Sequence, residues 1–188
     1  MDRRIHIFGA SGSGTTTLGR ALSERLGIPH FDSDNYFWVK TAVPFTEKRS
    51  PDQRRKLLES DLLRCREWVL SGSLCDWGDF AIPLFTLAMF LWIPHDLRME
   101  RLKAREIQRY GLEAISPGGW FHQHHEEFMA YVSAYDTAGL DEDIRSIKLH
   151  EQWMRNLPCR VLRIERPLSV QELTDMVVRK LNALKGQI

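Results

Sequence analysis

Near the N-terminus an apolar run, Ile5–Phe8, leads into Gly9-Ala10-Ser11-Gly12-Ser13-Gly14-Thr15-Thr16, and a helical pattern starts at Thr15. Ile5, Ile7 and Phe8 read as the core of a buried strand over Arg3–Gly9. Leu18, Ala21, Leu22 and Leu26 recur at helical spacing, and Gly27 with Pro29 ends the helix. Strand, glycine-rich turn and helix in that order leave few options. The turn doubles back tightly, its consecutive N–H groups point inward, and the helix adds the positive end of its dipole, so the natural occupant is a phosphate. The octet fits the phosphate-loop pattern G-x-x-x-x-G-K-[ST] at every fixed position except one: Thr15 stands where the pattern has lysine. Residues Gly9 to Thr17 are therefore the expected nucleotide-binding set, with the backbone amides of Ser11–Thr16 on the phosphates and the Thr16 hydroxyl on magnesium. A neutral Thr15 cannot act as a point charge on the β and γ phosphates. Either a cation from elsewhere takes that role, or the loop binds ATP weakly or not at all.

The rest of the chain narrows the class. At roughly 150 residues per domain, 188 residues predict a single domain over 1–188. Lys plus Arg is 26 against Asp plus Glu 25, a net charge of +1, which predicts neither nucleic-acid binding nor adhesion to an anionic membrane. The cysteines Cys65, Cys75 and Cys159 show no disulfide or zinc spacing. The longest apolar stretch, Phe80 to Pro94, is interrupted by Pro83 and falls short of the ~20 residues of a membrane span. Ile5–Phe8 is too short for a signal-peptide core, so the expected location is the cytoplasm.

Further strands are predicted at Ile28–Phe31, Trp68–Leu70, Leu87–Ile93 and Cys159–Ile164. Helices are predicted at Pro51–Glu67, with Leu57, Leu58, Leu62 and Leu63 on one side, and at Asp96–Tyr110, His124–Tyr135, Asp141–Asn156 and Ser169–Leu184. Residues 36–50 read as aromatic and irregular. Strands alternating with helices argue for an α/β fold with a doubly wound, parallel, five-stranded sheet.

Ligands in such a sheet sit beyond the carboxyl ends of the strands. Asp32-Ser33-Asp34 lies at one such end, where carboxylates suit a phosphoryl-transfer site or, alternatively, cap the next helix. Ser71-Gly72-Ser73 lies at another. Beyond it, Asp76 and Asp79 read as solvated turn residues in preference to site residues. Arg98, Arg101, Arg105 and Arg109, spaced 3, 4 and 4, share one helical face. Like charges at that spacing repel, so an anionic partner is one explanation and a solvated basic face the other. His122, His124 and His125 cannot all face one ion from a single helix, so zinc is not expected there.

Gly12-Ser13-Gly14-Thr15-Thr16-Thr17 resembles the loop of the archaeal-type cytidylate kinases, in which a threonine also takes the lysine position. Over nearly its full length the chain is similar in layout to the P-loop nucleoside-monophosphate, shikimate and gluconate kinases. It resembles more closely the bacterial adenylate-kinase-like ATPases of unassigned substrate. The resemblance implies phosphoryl transfer from Mg-ATP to a nucleotide or other small-molecule acceptor. Asp32 would then help hold magnesium through water and Asp34 would orient the acceptor. Residues of about 35–67 would close over it, with Tyr36 for stacking, Arg49 to grip an acceptor anion and Ser73 to touch the acceptor or a magnesium-bound water. Packing onto the body is the competing role for Tyr36, Phe37 and Trp38. A lid would span about 111–139, with Arg101 and Arg105 on the adenine face and the ATP phosphates. Arg145, expected in a helix after the lid, would reach the transferring phosphoryl; an ion pair within that helix is its competing role. The family tends to end its third strand with Asp before Gly, whereas this chain has Ser71 before Gly72. A looser resemblance to the DNA topology modulation proteins implies an alternative, a nucleotide-binding regulator with weak or no kinase activity.

Overall fold

The computed structural model describes residues 2–185. Five strands, β1 (Arg4–Gly9), β2 (His30–Asp32), β3 (Trp68–Ser71), β4 (Leu87–Leu91) and β5 (Arg160–Ile164), form one parallel sheet in the order β2-β3-β1-β4-β5. The chain steps from β1 to one side for β3 and β2, and to the other for β4 and β5. The glycine-rich turn therefore leaves β1 where the sheet reverses direction, the usual position of a ligand crevice.

Alternation along the strands sorts the core into two layers. On one face Ile5, Ile7, Val69, Leu87, Met89 and Leu91 pack against Leu18 and Leu22 of α1 (Thr15–Leu26) and Leu173, Val177 and Leu181 of α8 (Val170–Lys185). On the other, Phe8, Trp68, Leu70, Ala88 and Phe90 meet Leu58 and Leu62 of α3 (Pro51–Arg64) and Trp153 of α7 (Ile147–Met154). Every residue of β4 is buried, as expected for a strand covered on both faces. The leucine face of α3 is narrower than its sequence suggests: Leu58 and Leu62 are buried, while Leu57 and Leu63 are 45 % and 67 % exposed.

Local chemistry sets the helix boundaries. Ser50 and Gln53 form a capping box around Pro51 at the start of α3. Ser146 accepts from the Leu149 amide and starts α7 at Ile147, so the helix expected from Asp141 is shorter by a turn and a half, and Asp141–Asp143 lie in a bend. Residues 36–50 are more ordered than expected. A short helix, α2 (Ser33–Phe37), is followed by a narrow hairpin in which Trp38 pairs with Lys48 and the Val39 amide donates to Glu47 O at 2.8 Å. After β4 come α4 (His95–Tyr110), α5 (Leu112–Ile115) and α6 (His122–Ser133). The 3-10 turn Ala134–Asp136 then leads back to the body.

Candidate active site

The loop after β1 is shaped by its glycines. Gly12 has φ +83, and a Cβ there would lie 2.9 Å from the Arg98 carbonyl and 3.1 Å from Leu102 Cγ. Only glycine lets the loop lie this close to α4 in this conformation. Gly14 has φ +97 and open space where a side chain would be. The first intrahelical bond of α1 runs from the Leu18 amide to Gly14 O, so the amides of Gly14–Thr17 have no acceptor inside the helix. The buried Ser13 hydroxyl has no hydrogen-bond partner among the described residues. Unspent donors around a concave loop fit a phosphate chain.

The end of β2 comes to this loop. Thr16 Oγ1 donates to Asp32 Oδ2 at 2.8 Å, which brings together two hard oxygen donors of the kind magnesium takes. The other oxygen, Asp32 Oδ1, accepts from the Asp34 amide at 3.0 Å and caps α2. One carboxylate thus both caps α2 and bonds the loop threonine. Asp34 is exposed to water yet closely surrounded by protein. Burial and the neighbouring Asp32 push its pKa up, while Arg145, Arg105 and Arg109 pull it back. These three cations come from two elements, α4 and the segment before α7. Arg105 is crowded too: burial and the Arg109 charge lower its pKa, against the pull of Glu106 and Asp34.

The four-arginine stripe divides by role. Arg98 is no part of a solvated face. It is fully buried, ion-paired to Asp136, donates to Ile93 O at 3.2 Å and lies 5.0 Å from the Tyr135 ring centre. Asp136 also accepts from Trp92 Nε1 at 2.8 Å. The exit of the 111–139 segment is therefore fastened to the root of α4, beside the phosphate loop. Arg101 is exposed, and among the described residues it makes no ion pair. Arg105 faces Asp34. Arg109 donates to Glu106 Oε1 at 3.2 Å and lies 4.4 Å from the Phe45 ring centre.

Three expected acceptor contacts are already engaged within the protein. Arg49 donates through one nitrogen to the carbonyls of Asn35 (2.7 Å), Tyr36 (3.3 Å) and Trp38, closing the C-terminal end of α2. Tyr36 is buried and donates to Asp61 at 2.9 Å, so it packs α2 on α3 and offers no stacking face. Ser73 is buried with its hydroxyl 3.0 Å from His150 Nε2, whose Nδ1 lies 2.8 Å from the Tyr135 hydroxyl. Ser71 is likewise buried, 2.8 Å from His30 Nε2. Asp79 accepts from Trp153 Nε1 at 2.7 Å, while Asp76 is exposed in a left-handed conformation. Arg145 sits in the loop before α7, so the intrahelical ion pair is ruled out; its amide donates to the Tyr131 hydroxyl at 3.0 Å. The histidines of α6 do not assemble: no group of three or more metal-ligating side chains occurs among the described residues. The roles of Arg98, Asp136 and Arg109 were not foreseeable from composition; the one sequence signal was Arg109 falling one turn beyond Arg105.

A parallel sheet in this order, with the phosphate loop at its switch point and a carboxylate from β2 on the loop threonine, gives the chain a P-loop kinase-like fold. Residues 5–113 match the model of an AAA domain, and the chain belongs to that family. It is 49 % identical over 183 residues to the uncharacterized protein YqaC of Bacillus subtilis (strain 168), covering 97 % of this chain and 99 % of that one. A shorter stretch of 42 residues is 45 % identical to a shikimate kinase of Dechloromonas aromatica (strain RCB), 22 % of this chain and 23 % of that one. The fold is shared with a shikimate kinase from Acinetobacter baumannii in complex with shikimate, with TM-score 0.60, 15 % identity, and 98 % and 96 % of the two chains covered. It is also shared with a deoxyadenosine kinase from M. mycoides with bound dATP, with TM-score 0.57, 16 % identity, and 95 % and 99 % covered.

Proposed function

We propose that the protein is a magnesium-dependent phosphotransferase that moves the γ-phosphoryl of ATP to a hydroxyl of a small metabolite or nucleotide, working in the cytoplasm. The observation that carries this reading is the placement of Asp34. It lies beside Asp32, which holds the phosphate-loop Thr16, and under the charges of Arg105, Arg109 and Arg145. An acceptor hydroxyl bonded to Asp34 would be held beside the loop that binds the donor.

Each group then has a task. The amides of Ser11, Gly12 and Gly14–Thr16 bind the donor phosphates, while the Ser13 amide is engaged with Ala10 O at 3.1 Å. Thr16 and Asp32 supply oxygen ligands for magnesium, whose contribution when bound is to neutralise charge on the phosphate oxygens. Asp34 orients the acceptor hydroxyl and takes its proton as the new phosphate ester forms. Arg105 and Arg145 supply the cation that Thr15 cannot. Arginine suits this role because two parallel N–H donors match two phosphate oxygens. Arg101, exposed and without an ion pair among the described residues, is the candidate for the adenine side.

A coupled assay of ADP release tests this reading against a panel of nucleoside monophosphates, nucleosides, hydroxy acids and sugar acids. Acceptor-dependent ADP formation that needs magnesium is the expected result. Nucleotide binding without acceptor-dependent ADP formation across the panel would favour the nucleotide-binding regulator instead.

A further inference from the structure

Gly12 of the phosphate loop rests on the first two turns of α4. A Cβ at Gly12 would meet the Arg98 carbonyl, Leu102 Cγ and, at 3.4 Å, Arg98 Cα. The loop at this point is therefore shaped by where α4 begins. No side chain caps that end of the helix, whose N-cap is Pro94. The Arg98 side chain holds it instead. Arg98 Nε donates back to Ile93 O at 3.2 Å, and Nη2 donates to Asp136. Asp136 is held in turn from two sides. Its other oxygen accepts from Trp92 Nε1 at 2.8 Å. The hydroxyl of its neighbour Tyr135, a buried residue, lies 2.8 Å from His150 Nδ1, and His150 Nε2 lies 3.0 Å from the Ser73 hydroxyl. Trp92 directly follows β4, and Ser73 stands two residues beyond β3. Two strand ends thus hold the turn after α6, the turn holds Arg98, and Arg98 holds the helix against which Gly12 lies.

Stability does not account for this arrangement. Arg98 is 0 % exposed, so its charge is taken wholly out of water, and Nη1 has no hydrogen-bond partner among the described residues. The attraction within a buried ion pair offsets little more than the desolvation of its charges, and an unpartnered buried donor adds to the deficit. An uncharged pair of similar bulk would fill the same space. It would not hold the helix at one place, because the directed bonds to Ile93 and Asp136 do that.

We propose that Arg98, fixed by Asp136, is a positioning residue for nucleotide binding: it sets the start of α4 and, through the α4 backbone, the shape of the phosphate loop at Gly12. This goes beyond the phosphotransferase reading and rests on it only in that the loop binds the donor nucleotide. Arg98 is fully buried and acts without touching the nucleotide.

Melting temperature and nucleotide affinity, measured on the full chain, separate this role from a structural one. In Arg98→Met the Asp136 carboxylate loses its cation, so this variant should melt below wild type. Combining Arg98→Met with Asp136→Asn removes both charges, and the asparagine carbonyl still accepts from Trp92. The double variant should regain most of the lost melting temperature. Calorimetric titration of Mg-ADP should nevertheless show both variants binding at least tenfold more weakly than wild type, because the directed link is missing in each. Arg98→Lys, which keeps the charge and a donor for Asp136, should bind Mg-ADP more tightly than the double variant. Affinity that follows the melting temperature, with the double variant within about twofold of wild type, would leave Arg98 a structural role only and overturn the proposal. Arg98→Lys binding no more tightly than the double variant would overturn it as well. Failure of wild type to bind Mg-ADP would instead overturn the reading of the loop as a nucleotide site.

Discussion

Asp34 serves two opposed demands. Burial and the Asp32 charge raise its pKa, so the folded protein holds this proton to higher pH than the unfolded chain does. The resulting penalty is absent below the unfolded value of about 3.9, grows as pH rises through the folded value, and is constant above it. Asp34→Asn removes it. The ligand-free variant should therefore melt at a higher temperature than wild type at pH 7, while kcat falls by about 10²-fold or more. An unchanged kcat would remove Asp34 from the chemistry, and a lower melting temperature would contradict the electrostatic description. Thr15 and the arginines form the second residue-scale case. Thr15→Ala should stay within about tenfold of wild type in kcat/KM, about 1.4 kcal/mol. Arg105→Ala or Arg145→Ala should cost more than about 10²-fold, because an arginine on a transferring phosphoryl is worth about 10³–10⁵ in related chemistry. Normal turnover in both arginine variants would leave the missing lysine without a substitute.

Two elements carry neutral histidines into the core. His6 on β1 stacks between Phe8 and Phe85, with ring centres 5.2 and 4.8 Å away, and burial lowers its pKa to about 3. His150 on α7 is lowered to about 3 as well, by burial first and then by the Arg145 charge. A folded pKa below the unfolded value of about 6.5 means stability is intact above that pH and is lost as pH falls towards the folded value. Each group adds up to about 1.4 kcal/mol per pH unit to this loss. His6→Phe keeps the ring stack and removes one titrating group. Urea unfolding between pH 6 and pH 4 should show a clearly shallower loss of stability in this variant; an unchanged slope would mean that His6 is not buried neutral. At the same scale, most strand and helix cores were legible in the sequence because their apolar period survives in the fold: α1 spans the expected Thr15–Leu26. What could not be read depended on neighbours remote in sequence. Arg49 beside aromatic residues suggests an anion grip until α2 folds and presents three carbonyls to it. Arg98 belongs to a regular basic stripe until Asp136, 38 residues later, returns to cover it.

Across the molecule, the switch point of the sheet gathers residues from four separate stretches of chain: the phosphate loop, the end of β2, α4 and the segment before α7. The first two were readable because their spacing is local, whereas the charges of Arg105, Arg109 and Arg145 acting on Asp34 needed the tertiary fold. The segment expected as a lid is fastened at both ends, by Tyr110 to Pro44 and by Asp136 to Arg98. Closure on nucleotide should thus carry the hairpin with it, and hydrogen exchange of 38–48 and 111–139 should slow together when Mg-ADP is added. Protection of one segment alone would separate them. All of this depends on donor phosphates binding at Gly9–Thr16 without a loop lysine. The direct measurement is a calorimetric titration of Mg-ATP into wild type, Thr15→Ala and Gly14→Val. Gly14 has φ +97, a conformation that a β-branched residue resists. Binding by wild type, affinity within about tenfold in Thr15→Ala and loss of binding in Gly14→Val are the expected results; equal affinity in wild type and Gly14→Val would contradict phosphate binding at this loop.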